Sequence, residues 1–578
     1  MALAPVCKTA YSLYFLALAT DYDGTIAHHG AVDAATCAAL RRFKESGRRL
    51  LLVTGRQLPE LMAVFPEYDM FDRVVAENGA VVYDPVTRAE RLIAPPPAAA
   101  FVRRLEELGV SPIAVGRSIV ATWQPHETTV LQAIRDLGLD LQIIFNKGAV
   151  MVLPAGVNKA AGLSAALKEL ELSHHNVVGV GDAENDHAFL RACGCAAAVA
   201  NALPTVKDMA DIVLAGAQGA GVVELMERIT RDDARLVSPE RHGIVLGTDS
   251  AGVAIYLTPY DGNVLIAGDS DVGESPLATV LIERMAEKGL EFCVFDPEGD
   301  YDEIEQAVSV GDAKIPPKTE EALKLLRKLG ANVVVDMQAL GARERPACFA
   351  RLLPALSDLR NRTGRPHWLL IEEAHHLLPA RGDISPAVLA KIPCSVFVTE
   401  HPEKVSPVAL KTVRTVVASG DSAAEALRAF CGALGLDAPT DIPRPADDEL
   451  LVWQPENGAA ARAIHRVRPD QPHRRRSQKG DVGEGRSFYF RGPDNRFKLR
   501  AQNLAIFLQM AEGVDDPIWE YHLRAGDYSA WFKGVIKDDA LAREAVEIER
   551  DARLSPGESR RRIAEAIARR YATPARNS

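Results

Sequence analysis

Asp21-Tyr22-Asp23-Gly24-Thr25 comes after an apolar run from Phe15 to Ala19, closed by Thr20, and these two stretches together decide how the first part of the chain reads. The run predicts a buried parallel strand. Two carboxylates one residue apart at its exit point into the crevice where α/β sheets bind ligands. An Asp-x-Asp-Gly sequence also suits a plain solvated turn, so the choice rests on three segments farther along the chain. Leu50 to Val53 is a second strand and ends in Thr54-Gly55-Arg56; Val177 to Val180 is a third and ends in Gly181-Asp182. Between them Asn158-Lys159 opens a helix running through Leu163 to Leu170. Strand-like runs alternate with amphipathic helical stretches from residue 15 to 230, the pattern of an α/β domain with a parallel sheet covered on both faces.

Asp21-Tyr22-Asp23-Gly24-Thr25, Thr54-Gly55-Arg56, Lys159 and Gly181-Asp182-Ala183-Glu184-Asn185-Asp186, in that order, resemble the signatures of the haloacid dehalogenase superfamily, in its type IIB, sugar-phosphatase-like (Cof-type) branch. Ala76-Glu77-Asn78-Gly79-Ala80 resembles that branch's turn into its cap. The resemblance implies a Rossmann-like domain over residues 12–230, with a small C2-type α+β cap inserted at about 82–154. It implies a phosphomonoester hydrolase acting on a small phosphorylated metabolite, a sugar phosphate by analogy, with Mg2+ as cofactor. Asp21 is the implied nucleophile, forming an aspartyl-phosphate, and Asp23 the acid and then the base. Thr54, Gly55 and Lys159 are the implied phosphate binders. Asp21, Asp182 and the backbone carbonyl of Asp23 are the implied metal ligands, supported by Asn185 and Asp186.

The chemistry accounts for these residue types. An anionic nucleophile reaches the phosphorus of an anionic ester only if a cation cancels the repulsion, and a hard cation prefers oxygen ligands. A covalent phospho-enzyme splits one difficult displacement into two. A carboxylate two residues on serves the leaving alcohol and then the water, while a hydroxyl and an ammonium stabilise the spreading charge. Taken singly, Lys159 reads as an exposed lysine, Asp182 as a helix cap, Asp186 as a partner of a helix dipole and Thr54-Gly55-Arg56 as a turn. Their ordered company selects the catalytic reading. His28 and His29 receive no role.

A second module is expected over residues 235–468. Asn263 to Ala267 leads into Gly268-Asp269-Ser270-Asp271-Val272-Gly273-Glu274-Ser275, the P-loop spacing with Glu274 in place of lysine. His367 to Ile371, followed by Glu372-Glu373, is similar to a Walker B strand, and Val396 to Thr399 adds another strand. The module resembles P-loop ATPases of the FtsK/HerA class. Replacing lysine by glutamate swings the local charge by two units, each unit pair worth roughly 4 kcal/mol at about 4 Å and an effective dielectric near 20. The expected degenerate nucleotide site, Gly268, Gly273, Glu274, Ser275, Glu372 and Glu373, therefore belongs to a pseudo-ATPase with a structural or regulatory role, and the module is a platform for homo-oligomers. The rival readings are a nucleic-acid-processing ATPase assembly with an accessory phosphatase, and a scaffold whose two modules merely bind.

Residues 469–485, with His473-Arg474-Arg475-Arg476, read as a solvated linker, and residues 486–578 as a small, mostly helical packing domain. There Leu499 to Met510 reads as a helix, Trp519, Tyr521, Tyr528, Trp531 and Phe532 as core, and Ser555-Pro556-Gly557-Glu558 as a helix start. A net charge of −11 over 578 residues supplies no basic field to recommend nucleic acid, which is disfavoured as a partner. Eight cysteines with no CxxC pair argue against zinc ribbons and disulfide frameworks and suit a reducing cytoplasm. No apolar run approaches the roughly 20 residues needed to cross a bilayer, so no membrane partner is expected. The stretch Ala10 to Ala19 reads as the lead into the first strand, since signal cleavage there would fall beside Asp21.

Overall fold

The computed structural model describes residues 13–146, 148–259, 262–268, 274–301, 304, 306–381, 394–446, 448–455, 460–466, 487–491, 499–501, 503–536, 538–551 and 553–571. The chain divides into two compact units, Met1–Val467 and Arg468–Ser578. The expected linker, 469–485, lies outside the described residues.

The first sheet of the larger unit contains β1 (Ala17–Thr20), β2 (Arg49–Val53), β3 (Arg73–Ala76), β4 (Val81–Asp84) and β5 (Ala89–Leu92). A separate sheet is built from β6 (Ala114–Val115), β7 (Val120–Trp123), β8 (Leu141–Asn146) and β9 (Ala149–Pro154), before β10 (Val177–Gly181), β11 (Cys195–Ala198) and β12 (Ile212–Val213) return to the first. The order of the main sheet is β12-β11-β10-β1-β2-β3-β4-β5, parallel from β12 to β3. Strand β1 is buried throughout, as the unbroken apolar run demanded. It pairs with β2 on one side and β10 on the other, with Thr20 opposite both Leu52 and Val180. The chain passes from β1 to β2 on one side and returns to the other side only later, at β10, which makes the carboxyl end of β1 a topological switch point where a crevice opens.

The expected insert opened at Val82. Instead β4 and β5 extend the main sheet as antiparallel strands, because Val81, Val82 and Tyr83 are buried against it and pair with β3. The separately folded cap sheet begins only at Ala114, in the order β6-β7-β9-β8. Helices Ala99–Glu107 and Glu127–Asp136 close a small core of its own around Phe101, Leu105, Val120, Val130 and Val152.

Among the described residues the second sheet of the same unit has eleven strands: β13 (Ile244–Thr248), β14 (Ala254–Leu257), β15 (Asn263–Gly268), β16 (Phe292–Asp296), β17 (Ala307–Val310), β18 (Asn332–Asp336), β19 (Trp368–Ile371), β20 (Ser395–Val398), β21 (Val413–Ser419), β22 (Glu449–Trp453) and β23 (Arg462–Arg466). Their order is β14-β13-β23-β22-β21-β15-β20-β19-β16-β18-β17, parallel from β21 to β17. The two expected modules are joined rather than strung apart. Arg365 donates from Nε to the Glu171 carbonyl at 3.1 Å and from Nη1 to Glu291 at 2.6 Å. The His175 ring meets those of His242 and His367 at 5.3 and 5.2 Å, with its Nε2 2.9 Å from the Lys288 carbonyl.

Among the described residues of the smaller unit, β24 (Phe488–Phe490) and β25 (Leu499–Ala501) form an antiparallel pair beside five helices, from Leu504–Gly513 to Pro556–Tyr571. The helix expected from Leu499 starts five residues later. Residues 499–501 pair with β24 instead, and the Asn503 side chain caps the helix by accepting from the Ile506 N–H at 2.9 Å. Trp519, Tyr528, Trp531 and Phe532 are core, whereas Tyr521 is exposed. Trp519 stacks on Tyr528 at 4.4 Å and donates to Ser559. Ser555 accepts from the Glu558 N–H at the start of the last helix.

Candidate active site

Asp21, Thr54 and Asp182 each stand just past the carboxyl end of a strand, β1, β2 and β10, and the parallel register brings those ends to one edge. Lys159 reaches the same place from the first turn of the helix Lys159–Glu169, which Asn158 caps by accepting from the Ala161 N–H. That helix sits close because glycine stands at position 79: a Cβ there would lie 1.9 Å from the Asn158 carbonyl oxygen, and Gly79 has φ +104. The turn after β3 therefore docks straight onto the start of the lysine helix.

Lys159 Nζ lies 2.5 Å from Asp21 Oδ1 and 2.5 Å from Asp186 Oδ1. All these groups are buried: Lys159 is 1 % exposed, Asp21 4 %, Asp182 3 % and Asp186 0 %. Asp186 uses its other oxygen to accept from the backbone N–H groups of Asp182 and Ala183, at 2.8 and 3.0 Å, so it shapes its own loop while holding the lysine. Thr25 bridges Asp21 Oδ2 and Asp182 Oδ1 at 3.2 and 3.4 Å. Burial first, and then the carboxylate of Asp186, push Asp21 up to about 7 against the pull of Lys159, with Asp182 adding to the rise. Burial works against the charge of Lys159, but Asp186 and Asp21 outweigh it and hold the ammonium above its ordinary range.

Carboxylate oxygens of Asp21, Asp182 and Asp186 lie within 4.8 Å of one another. Three buried carboxylates, two of them paired with one lysine, carry an excess of negative charge, and an all-oxygen donor set suits a hard divalent cation such as Mg2+. Since Asp186 is engaged by Lys159 and two N–H groups, Asp21 and Asp182 are the pair disposed toward a cation.

Asp23 points elsewhere, to Arg56, whose Nε and Nη2 donate to its two carboxylate oxygens. Thr54 is buried, and its Oγ1 accepts from the Arg56 N–H at 3.1 Å, which leaves its own proton to donate. Asn185 donates to Asn78 Oδ1 at 3.0 Å. Its Nδ2 and Met151 Sδ on β9 each lie 3.7 Å from where a Cβ on Gly55 would stand, so cap and core meet there.

Three residues had no role at the level of sequence. Arg56 and Thr25 stood inside quoted motifs, which was their only signal. Glu77 likewise stood inside a quoted motif, the expected turn into the cap: held at φ +50, it accepts from the cap backbone at Arg117 and Ser118, both at 2.9 Å, and so ties the β6–β7 turn to the core.

Of the second sheet's expected residues, Gly273 lies outside the described residues, and Glu274 and Ser275 open the helix Glu274–Glu287. Gly268 has φ +148, and a Cβ there would stand 2.5 Å from the Ser419 carbonyl oxygen. Glu372 is buried and accepts from Tyr301 at 2.7 Å; burial pushes its carboxyl up to about 8. Glu373 comes next, in the left-handed region. Among the described residues no helix is long and apolar enough to cross a membrane, and the seven described cysteines are buried and outside any disulfide.

A family model described as haloacid dehalogenase-like hydrolase matches residues 18–122 and 129–226. A phosphoglycolate phosphatase from Methanothermobacter thermautotrophicus is 33% identical over 223 residues, 37% of this chain and 97% of that protein. One from Haloarcula marismortui is 31% identical over 36% of this chain and 94% of its own length. A crystal structure of a haloacid dehalogenase-like hydrolase from Bacteroides thetaiotaomicron aligns with 17% identity and a TM-score of 0.33, over 37% of this chain and 99% of that one.

Proposed function

The chain belongs, through residues 18–226, to the haloacid dehalogenase-like hydrolases and is a phosphomonoester hydrolase, and from that premise we propose a Mg2+-dependent reaction through an aspartyl-phosphate on a small phosphorylated metabolite. The observation that carries the reading is the buried group of Asp21, Asp182 and Asp186 with Lys159 bridging two of the three. Mg2+, held by Asp21, Asp182 and the Asp23 carbonyl, would supply the positive charge that lets two anions meet.

Asp21 attacks the phosphorus through Oδ2 while Lys159 orients its other oxygen. The bond from phosphorus to the ester oxygen breaks, and the leaving oxygen takes a proton from Asp23. Asp23 then removes a proton from water, whose oxygen attacks the phosphorus and returns Asp21 as a carboxylate with release of phosphate. Lys159 and the Thr54 hydroxyl stabilise the charge on the phosphoryl oxygens. The cap, joined to the core through Glu77, keeps bulk water from the crevice and selects the leaving group.

The family resemblance favours a sugar phosphate, whereas the curated relatives are named for phosphoglycolate, a smaller acid; both belong among the substrates to be tried. The test is a panel of phosphomonoesters with and without Mg2+, on wild type and Asp21→Asn. Turnover lost in the variant supports the reading, and equal turnover removes it. For the second sheet, the proposal is a P-loop-like module without ordinary ATP hydrolysis, able to join copies of the chain. ATP turnover by the purified chain, abolished by Glu373→Gln, would refute it.

A further inference from the structure

The carboxyl edge of the second sheet holds a cluster that phosphate ester hydrolysis does not use. After β19 the chain turns through Glu372 and Glu373 into the single helical turn Ala374–Leu377. Glu373 adopts φ +45, a conformation disfavoured for any residue with a Cβ and kept only where the surroundings impose it. The result is that a carboxylate oxygen of Glu373 and one ring nitrogen from each of His375 and His376 all lie within 4.8 Å of one another. The two imidazole rings are 4.1 Å apart.

A glutamate–histidine pair alone would not account for this geometry. Glu373 Oε2 stands 3.0 Å from His375 Nδ1 yet outside hydrogen-bonding geometry, and both Glu373 Oε2 and His376 Nδ1 are buried atoms without a hydrogen-bond partner. Polar atoms buried without a hydrogen bond are costly unless something else satisfies them. Around them, Thr399 Oγ1 lies 3.0 Å from His375 Nδ1, and the His401 ring is 5.2 Å from the His375 ring. Thr399 and His401 lie just beyond β20, the neighbour of β19. The cluster thus occupies the side of the sheet on which α/β folds bind ligands.

We propose that Glu373, His375 and His376 form a binding site for a borderline divalent transition-metal ion such as Zn2+, separate from the oxygen-only cluster at Asp21. Two imidazoles and one carboxylate are the donor set that such ions favour over Mg2+. Bonds of about 2.0–2.1 Å require the three donors to draw in from their present spacing by side-chain rotation. Three protein ligands leave a fourth position for water or an anionic ligand.

The experiment is a titration of the chelator-treated full chain with Zn2+ and with Co2+, whose visible absorption reports tetrahedral coordination. One equivalent is expected to bind tightly with a tetrahedral Co2+ spectrum. His375→Ala and His376→Ala should each weaken binding at least tenfold and the double variant should abolish the spectrum, while Asp182→Asn leaves it intact. Glu373→Gln, which keeps the side-chain shape, should also weaken binding tenfold and covers the case of a double variant that fails to fold. Absence of a tight equivalent in the wild type, survival of the spectrum in the double variant, or its loss in Asp182→Asn would each overturn the proposal.

Discussion

Arg56 holds Asp23 through two parallel hydrogen bonds, Nε to Oδ2 at 2.6 Å and Nη2 to Oδ1 at 2.7 Å. The guanidinium is itself fixed, by Glu60 at 2.9 Å and by the Tyr22 ring, whose centroid is 5.4 Å away. A planar fork of this kind sets both the position and the rotation of a carboxylate, which an ammonium cannot do. Arg56→Ala is expected to lower kcat by about 10- to 100-fold, part of the contribution general acid–base catalysis makes, with a smaller change in KM. Arg56→Lys should recover little of it. Steady-state kinetics decide the matter, and an unchanged kcat would remove Arg56 as a positioning residue.

Lys159 is the cation that pairs with two of the three buried carboxylates, Asp21 and Asp186, so Lys159→Met should both inactivate and destabilise. Breaking a buried ion pair from one side costs about 3–5 kcal/mol. A cation that binds only the folded state restores stability in proportion to its occupancy. Thermal melts should therefore show a lower midpoint for Lys159→Met in chelator, and a larger gain on adding Mg2+ than in wild type. No response to Mg2+ in either protein would count against the cation site.

The histidines at the junction of the two sheets predict a pH dependence. Burial lowers His175 to about 4, with Lys288 and His174 adding repulsion, and lowers His242 to about 3, with His175 and Arg241 beside it. The unfolded chain takes up these protons near pH 6.5 while the folded one resists them. Their contribution to stability is thus fully present above pH 6.5 and is lost as pH falls toward 4. Each pKa unit is about 1.4 kcal/mol, and for a half-buried His175 the loss is on the order of 2 kcal/mol. Melting midpoints between pH 7 and 4 should fall more steeply for wild type than for His175→Phe; parallel curves would contradict this.

Arg365 and Glu291 form a buried pair whose side chains are 0% and 5% exposed. Arg365 also donates to the carbonyls of Glu171, Lys328 and Arg327. Arg365→Met should cost about 3–5 kcal/mol, because Glu291 would keep a buried charge with no cation. Arg365→Met combined with Glu291→Leu should recover a large part of that loss. Denaturant unfolding of the two variants measures it, and a double variant no better than the single one would mean that the carbonyl contacts dominate.

The main elements of the first sheet were legible because a strand buried on both faces has to be apolar along its length, as Phe15 to Thr20, Leu50 to Val53 and Val177 to Val180 are. The start of the cap was not legible, since Val81 to Tyr83 looks equally apolar whether it pairs with β3 or with a separate sheet. Leu499 to Ala501 failed for a similar reason. Three residues do not distinguish the first turn of a helix from a short strand, and Asn503, as cap, decided it.

The chain's own order of residues determined the acidic couple after β1, the lysine at a capped helix start and the Gly181-Asp182 turn, because a phosphoryl site needs those chemical types at the ends of strands and short-range spacing is enough to put them there. Only the tertiary structure decided that Lys159 bridges Asp21 and Asp186, that Arg56 takes Asp23, that Glu77 ties down the cap and that His175 meets His242 and His367. Those contacts join residues from 27 to 192 positions apart. Their partners are chosen by sheet order and by burial, where an unpaired polar group is costly, and neither is written in any local stretch of sequence.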